Sequence, residues 1–205
     1  MKFHLEASLR LSGDAAKAEA YASEMSSSLG VKVVRAETAE DAVRGAEVIV
    51  TATSSTSPVV RAEWISGGAH ITAMGSDEPG KQELDPKLLA RADKVVVDSL
   101  KQCARLGELH HALDAGLMKE EDVHAELGEV LLGKKPGRQS DKEVTVCDLT
   151  GIAVQDVAIS GFVYEKAKRA GSPASKAAAS RRPRLTPNTA TASRIGRAWP
   201  RYSAR

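Results

Sequence analysis

Short apolar segments alternate with amphipathic ones along most of this 205-residue chain. Apolar runs, several of them rich in β-branched residues as in the strands of parallel sheets, predict strands at residues 7–11, 31–34, 47–51, 69–74, 94–98 and 144–147. Segments with helical spacing lie at residues 15–29, 39–45, 86–92, 100–107, 109–115 and 154–168. Residues 58–66 are predicted to be irregular, with one helical turn. The alternation predicts an α/β fold with a doubly wound parallel sheet.

The segment from Met74 to Leu84, Met-Gly-Ser-Asp-Glu-Pro-Gly-Lys-Gln-Glu-Leu, follows one of the predicted strands. Ligands of open α/β sheets bind beyond the carboxyl ends of the strands, so Asp77 and Lys81 are candidates for chemistry. Pro79-Gly80 predicts a tight turn, because proline pre-sets φ and glycine tolerates positive φ. Such a turn can bring Lys81 back towards Asp77. The alternative is an ordinary strand-to-helix loop with a solvated ion pair.

This segment resembles the signature of the ornithine cyclodeaminase/mu-crystallin family, which reads hydrophobic-Gly-small-Asp-x-Pro-Gly-Lys-x-Glu-Leu. The resemblance extends from about Asp14 to about Lys168. Five further segments resemble the family in the same order: Ile49 to Thr53, Asp98 to Ala115, Glu126 to Val130, Gly133 to Arg138 and Asp148 to Asp156.

The resemblance implies a Rossmann-like domain that binds NAD, with NADP as the alternative, and a small amino-acid or cyclic imine substrate. Ornithine cyclodeaminase takes a hydride from the α-carbon of L-ornithine, closes the ring through an imine, releases ammonia and returns the hydride to give L-proline. Relatives reduce cyclic ketimines or pyrroline carboxylates, or act as alanine dehydrogenases. A homo-oligomer is expected for the intact family.

The resemblance also assigns roles to single residues. Asp77 matches the family acid that moves protons on the imine and amine nitrogen. A carboxylate suits that task when partial burial raises its pKa above about 3.9, the value in water. The cofactor positions implied by the resemblance are Thr51, Met74, Gly75, Ser76, Lys81 and Thr150.

Two departures from the family pattern bear on the cofactor. Gly13 stands where the family often has an arginine, which favours NAD over NADP because a 2′-phosphate would lose its partner. Leu149 stands where many relatives have serine, which removes a hydrogen bond worth about 1 kcal/mol. Thr150 is a candidate to replace that hydroxyl.

A larger departure concerns the cofactor's pyrophosphate. Complete family members have a substrate and dimerisation domain, and then a strand followed by a Gly-x-Gly-x-Gln turn whose amides cradle the pyrophosphate. None of the 16 glycines here lies two positions from another, so no Gly-x-Gly occurs. We therefore expect an incomplete sheet without the first strand and the glycine-rich turn, and an inactive isolated chain. The alternative is a non-catalytic remnant that binds a nucleotide or a partner subunit.

The expected organisation has three parts: a partial NAD(P)-binding domain at 1–153, a helix at 154–169 that would return to the dimerisation domain, and a basic tail at 170–205. Residues 166–205 hold 11 of the 29 Lys and Arg residues and none of the 27 acids. This Ala-, Ser-, Arg- and Pro-rich composition predicts disorder. The tail either contacts nucleic acid or an acidic membrane surface, or is an accidental extension without a role, and we favour the second interpretation.

Composition narrows the function class further. An aromatic content of 3% argues against stacking platforms for single-stranded nucleic acid. No apolar run approaches the roughly 18 residues of a membrane helix, and the first residues do not form a secretory signal. Cys103 and Cys147 are far apart, as in reduced proteins, so a cytoplasmic location is expected. His110 and His111 point about 100° apart on a helix, so no metal site is predicted.

Overall fold

A computed structural model describes residues 6–9 and 15–171 of the chain. Nine strands are described: β1 (Glu6–Leu9), β2 (Lys32–Arg35), β3 (Val48–Thr51), β4 (Thr56–Val60), β5 (His70–Ala73), β6 (Gln82–Leu84), β7 (Lys94–Val97), β8 (Ala125–Glu126) and β9 (Thr145–Asp148). Seven α-helices are described: α1 (Ala15–Leu29), α2 (Ala39–Val43), α3 (Pro86–Arg91), α4 (Leu100–Cys103), α5 (Glu108–Asp114), α6 (Leu127–Leu131) and α7 (Ala153–Arg169). Short 3₁₀ helices lie at Ala62–Trp64 and Glu120–Asp122.

The central sheet confirms the predicted α/β class. Its five strands are all parallel and follow the order β3-β5-β9-β7-β8. The register aligns Thr51 with Ala73, Ala73 with Asp148, and Val97 with Asp148, so four strands end in one row. The segments that follow these strands therefore start from the same edge of the sheet.

Two further ladders are parallel pairs, β1 with β2 and β4 with β6. The irregular segment predicted at residues 58–66 is wrong in part, because residues 56–60 form β4. Pro58 obscures this strand in the sequence, although proline is tolerated in edge strands. The three-residue β6 and the two-residue β8 are too short to show a period, and they form because a partner strand supplies the hydrogen bonds.

The β-branched run at residues 47–51 is of the kind that is buried on both faces in parallel sheets, but β3 is buried on one face only. Ile49 and Thr51 are buried, but Val48 and Val50 are 66% and 62% exposed. β3 lies at the edge of the five-stranded sheet, so its side chains alternate between a covered and an uncovered face. The predicted helix at residues 100–107 is likewise shorter, because α4 ends at Cys103.

Local sequence explains where several helices begin. Thr38 and Asp41 form a capping box at α2, with the Asp41 amide donating to the Thr38 hydroxyl at 3.0 Å and the Thr38 amide donating to the Asp41 carboxylate at 3.1 Å. Asp85 caps α3 and Pro86 occupies its first turn. Gly116 ends the α5 region with φ +66°, as predicted from its position.

The core lies between the sheet and helices α3 and α5. Leu88 and Leu89 of α3 and Leu109 of α5 are fully or almost fully buried and belong to the same apolar cluster as Ile71 and Val146 of the sheet. Burying each such side chain contributes roughly 1.5–3 kcal/mol. This cluster fixes α5 against the β6 segment and thereby holds the loops at the carboxyl edge of the sheet.

The chain divides into two compact units after Ile152, and α7 belongs to the second. The residues that carried the predictions about Gly13 and about most of the basic tail lie outside the described part of the chain. Within residues 6–9 and 15–171, no helix combines the length and apolarity that crossing a bilayer requires. The same residues contain no group of three or more His, Cys, Asp or Glu that could hold a metal ion.

Candidate functional site

The ends of strands β3, β5 and β9 are tied together by backbone hydrogen bonds that continue the sheet. The Met74 amide donates to the Thr51 carbonyl at 3.0 Å, and the Leu149 amide donates to the Ala73 carbonyl at 2.8 Å. The loop that carries Asp77 therefore leaves a fixed platform.

The predicted turn at Pro79-Gly80 is confirmed, since the Lys81 amide donates to the Glu78 carbonyl at 3.0 Å. Gly80 is not among the glycines with positive φ, so the turn does not need the conformational freedom that the sequence argument gave it. Proline at the first central position is sufficient for this turn.

The turn brings Lys81 back to Asp77, as the sequence predicts. Lys81 Nζ lies 2.6 Å from Asp77 Oδ1 and 3.6 Å from a Glu78 carboxylate oxygen. The Asp77 side chain is 52% exposed. Its hydrogen bond with Lys81 lowers the pKa of the carboxyl, and the same pair raises the pKa of the Lys81 ammonium. The raised pKa expected for Asp77 is therefore wrong for this structure, because the carboxylate is solvated and paired rather than buried.

The base of the Asp77 loop is anchored through the carbonyl of Lys81. The Ser76 hydroxyl donates to this oxygen at 2.7 Å, and His111 Nε2 donates to it at 2.7 Å. Ser76 is fully buried. The loop thus has a rigid base and an exposed tip, which presents the Asp77 carboxylate to solvent.

Glu83 of β6 is fully buried between the ends of β3 and β5. Its carboxylate accepts hydrogen bonds from the Thr51 hydroxyl at 2.6 Å, from the Gly75 amide at 2.9 Å and from the Thr53 amide. A β-carbon at Gly75 would collide with the Thr53 carbonyl and with this carboxylate. Glycine at position 75 is therefore required by the close approach of three segments.

Glu108, at the start of α5, is a second buried acid next to Glu83. It accepts the backbone amides of Glu83 at 2.7 Å and of Leu84 at 3.0 Å. Burial raises its pKa to about 8, with the neighbouring Asp148 and Glu83 acting in the same direction. Glu108 therefore holds β6, and with it Glu83, against α5.

Asp148, the last residue of β9, is buried beside α5. Its Oδ2 accepts the Leu109 amide at 2.9 Å, while Oδ1 has no hydrogen-bond partner among the described residues. A β-carbon at Gly107 would collide with this carboxylate. Burial raises the pKa of Asp148 to about 6, and the charge of Asp98 acts in the same direction.

Thr150 is held by a fourth acid, Asp98, which follows β7. The Thr150 hydroxyl donates to Asp98 Oδ1 at 3.1 Å, and the Gly151 amide donates to Asp98 Oδ2 at 2.7 Å. Gln102 also donates to the Thr150 hydroxyl at 3.0 Å. The segment after β9 is therefore fixed to the end of β7.

The structure places the residues implied by the resemblance at one sheet edge, in two groups. Thr51 and Gly75 meet at Glu83, and Ser76, Asp77 and Lys81 share the loop after β5. Met74, between these groups, has its side chain 51% exposed.

Thr150 is anchored instead to Asp98. The hydroxyls of Thr51 and Thr150 donate to buried carboxylates. Direct cofactor contact by these two residues stays a prediction.

Sequence reasoning did not identify the buried acids or His111 as part of this edge. Glu83 lies within the motif quoted above, but nothing in the local sequence marks its side chain as buried. One usable signal was present: Gly107 directly precedes Glu108, and a glycine there allows a side chain from elsewhere to approach the backbone. The identity of that side chain, Asp148, comes only from the fold.

The sequence model that describes the ornithine cyclodeaminase/mu-crystallin family matches residues 7–171 of the chain. The chain belongs to this family. Alanine dehydrogenase from Archaeoglobus fulgidus is 53% identical over 129 residues, which are 63% of this chain and 39% of that protein.

Two solved structures extend the similarity to three dimensions. An archaeal alanine dehydrogenase dimer with bound NAD has a TM-score of 0.73 and 43% identity, over 81% of this chain and 50% of that one. Pyrroline-2-carboxylate reductase from Thermococcus litoralis, in complex with NADH and L-proline, has a TM-score of 0.77 and 30% identity, over 82% and 51% of the two chains. The chain thus spans about half the length of these two solved structures. It spans a smaller share, 39%, of the Archaeoglobus fulgidus alanine dehydrogenase.

Proposed function

We propose that the chain takes part in an NAD-dependent interconversion of a small amino acid and its imine, with reduction of a cyclic ketimine as the principal reaction. The observation that carries this proposal is the placement of Asp77. Its carboxylate stands exposed beyond the carboxyl end of β5, on a loop whose base is fixed by Ser76 and His111. The similarity to a reductase crystallised with NADH and L-proline supports the same reaction class.

The residues at this edge fit the nicotinamide end of the cofactor. Gly75 lacks a side chain where backbone segments approach closely, and the half-exposed Met74 offers apolar surface for a ring. The Lys81 ammonium adds a positive charge beside the same strand end. The pyrophosphate cradle of a Gly-x-Gly turn is not among these 205 residues, so the proposal assigns no residue to that part of the cofactor.

NADH, when bound, would supply a hydride to the carbon of a protonated imine, and the products would be a neutral amine and oxidised cofactor. The lowered pKa of Asp77 keeps its carboxylate ionised at neutral pH. We assign Asp77 to hold the protonated nitrogen next to the hydride donor, with Lys81 orienting the carboxylate through Oδ1.

The proposed activity and the sequence-based expectation of an inactive isolated chain make opposite predictions, and the test that decides between them compares the full chain with its Asp77→Asn variant. NADH oxidation is followed with pyrroline-2-carboxylate, and proline formation is followed with L-ornithine and NAD. We expect Asp77→Asn to lower the rate at least about 100-fold, as for removal of a charged group positioned at the reacting atoms, and to leave NADH affinity almost unchanged. Asp114→Asn, a change at an exposed aspartate on α5, is the matched control.

Two outcomes contradict the proposal at different points. Substrate-dependent NADH oxidation that persists in Asp77→Asn removes this residue from the reaction. Wild-type chain that neither binds NADH nor turns over either substrate refutes the activity for this chain.

A second candidate is nucleotide binding without turnover, or a role as a partner of another subunit. The inward hydrogen bonds of Thr51 and Thr150 favour it over turnover, because their hydroxyls donate to Glu83 and Asp98 and have no second proton to donate to a cofactor. Saturable NADH binding, with no consumption of NADH in the presence of any imine tested, distinguishes this candidate from the first.

We also propose that the protein forms a homo-oligomer, since the archaeal relative is a dimer. Sedimentation of the purified chain tests this directly, and a monomer at all concentrations refutes it.

A further inference from the structure

Glu83 joins the two strand ends that carry most of the candidate cofactor positions. Through one carboxylate it contacts Thr51 at the end of β3, Thr53 two residues later, and Gly75, the second residue after β5. Two of the three donors are backbone amides, so the side chain fixes main-chain atoms as well as one hydroxyl. Beyond the last hydrogen bond of the sheet, Glu83 therefore links the two loops directly.

The backbone of Glu83 is itself fixed by Glu108 of α5. Glu108 accepts the amide of Glu83 and the amide of Leu84, and Leu84 is fully buried in the core. The carboxylate of Glu83 therefore cannot shift without moving β6 away from α5. A rigid support of this kind transmits the position of the core to the loop that carries Asp77.

Neither the charge nor the length of this side chain can be changed without loss. A glutamine offers one acceptor oxygen and an NH₂ group, and the NH₂ group would face a buried backbone N–H donor. An aspartate keeps both oxygens but is one methylene shorter and cannot reach both strands from β6. Gly75 leaves no free space for either variant to adjust, because Glu83 already fills the position where a β-carbon would be.

We propose that Glu83 is the positioning residue of the cofactor site: its carboxylate fixes the backbone that follows β3 and β5, at Thr53 and Gly75, and so the place of Asp77 relative to the nicotinamide. The expected effect on cofactor binding rests on the proposed function. The anchoring of Thr53 and Gly75 by Glu83 does not depend on it. No contact of Glu83 with substrate or cofactor is claimed.

The experiment uses the full chain with three substitutions. Glu83→Gln removes one acceptor at constant size, and Glu83→Asp keeps the charge but shortens the reach. Asp85→Ala, two residues away, removes the N-cap of α3 and serves as the matched control for general loss of stability. Each protein is examined by NADH titration, and by amide hydrogen exchange at Thr53 and Gly75, with Ile71 and Val146 as core references.

If the proposal is correct, both Glu83 variants weaken NADH binding about tenfold or more, the factor that corresponds to loss of one charge-assisted hydrogen bond. Exchange at Thr53 and Gly75 accelerates in both variants, while Ile71 and Val146 keep their protection. Asp85→Ala lowers the melting temperature without either effect. Equal NADH affinity in wild type and Glu83→Gln overturns the proposal.

Failure of the proposed function is recognised separately, as wild-type chain that does not bind NADH. In that case the hydrogen-exchange data alone decide whether Glu83 positions the two loops. Selective acceleration at Thr53 and Gly75 supports the positioning role of Glu83, and unchanged or uniformly accelerated exchange refutes it.

Discussion

Asp77 and Asp148 lie at the carboxyl ends of two neighbouring strands, β5 and β9, whose last residues are paired in register. Their surroundings move their pKa values in opposite directions. Asp77 is exposed and hydrogen-bonded to Lys81, which lowers its pKa. Asp148 is 1% exposed and keeps one oxygen without a partner among the described residues, and its pKa rises to about 6.

The difference shows that the sheet edge contains two kinds of acid, one exposed and one buried. An exposed carboxylate with a cationic neighbour stays ionised and can meet a cationic ligand. A buried carboxylate accepts backbone amides and fixes the loops, at the cost of desolvating its charge. Glu83, Glu108 and Asp98 belong with Asp148, since each accepts at least one backbone amide.

The largest expected effect comes from crowding the buried acid. Gly107→Ala places a β-carbon against the Asp148 carboxylate, although its backbone (φ −81°) suits any residue. We expect a loss of about 3 kcal/mol in the free energy of unfolding, as for overpacking of a rigid site. Gly128→Ala, where a β-carbon meets nothing within 4 Å, should be neutral or slightly stabilising. Urea denaturation measures both, and equal stability of the two variants would show that Asp148 moves freely.

The next effect concerns pH. The folded-state pKa of Asp148 lies above its ordinary value of 3.8, so the folded chain binds this proton more tightly than the unfolded chain does. Its contribution is most favourable below about pH 4 and is lost as pH rises through about 6. Relative to Asp148→Asn, wild type should therefore lose between 2 and 3 kcal/mol of stability from pH 4 to pH 7.

For Asp77→Asn we expect a pH dependence of stability with the opposite sign to that for Asp148→Asn. The pKa of Asp77 is lowered, so its contribution is present above about 3.8 and is lost as pH falls through the lower folded-state value. The effect should be much smaller because this carboxylate is exposed. Denaturant titrations at several pH values measure both differences, and parallel curves for the two variants would refute the contrast.

The smallest effect on stability is expected for Lys81→Gln. This change removes the ion pair with Asp77 at the surface, where such pairs contribute little to stability. It should nevertheless let the Asp77 pKa return towards its ordinary value, which a carbon-13 titration of the carboxyl group detects. An unchanged Asp77 pKa would mean that Lys81 does not hold the carboxylate in solution.

The sequence predicted the parts of the fold that depend on local pattern. The β-branched run of β7 and the span of α1 agree closely with the structure. The Pro79-Gly80 turn and the Asp77–Lys81 pair were also predictable, because a turn of four residues and an ion pair within it need no distant partner. β4, β6 and β8 were not predictable, since each forms through hydrogen bonds to a strand elsewhere in the chain.

The sequence by itself determined the α/β class, the family resemblance and the loop that presents Asp77, because periodicity and turn chemistry act over a few residues. Only the tertiary structure decided which acids are buried. Glu83 meets Thr51 across 32 residues, and Asp148 meets Leu109 across 39. Burial and the supply of backbone donors come from segments that are distant along the chain, and these two factors set whether an acid stays exposed to solvent or is buried and holds the loops.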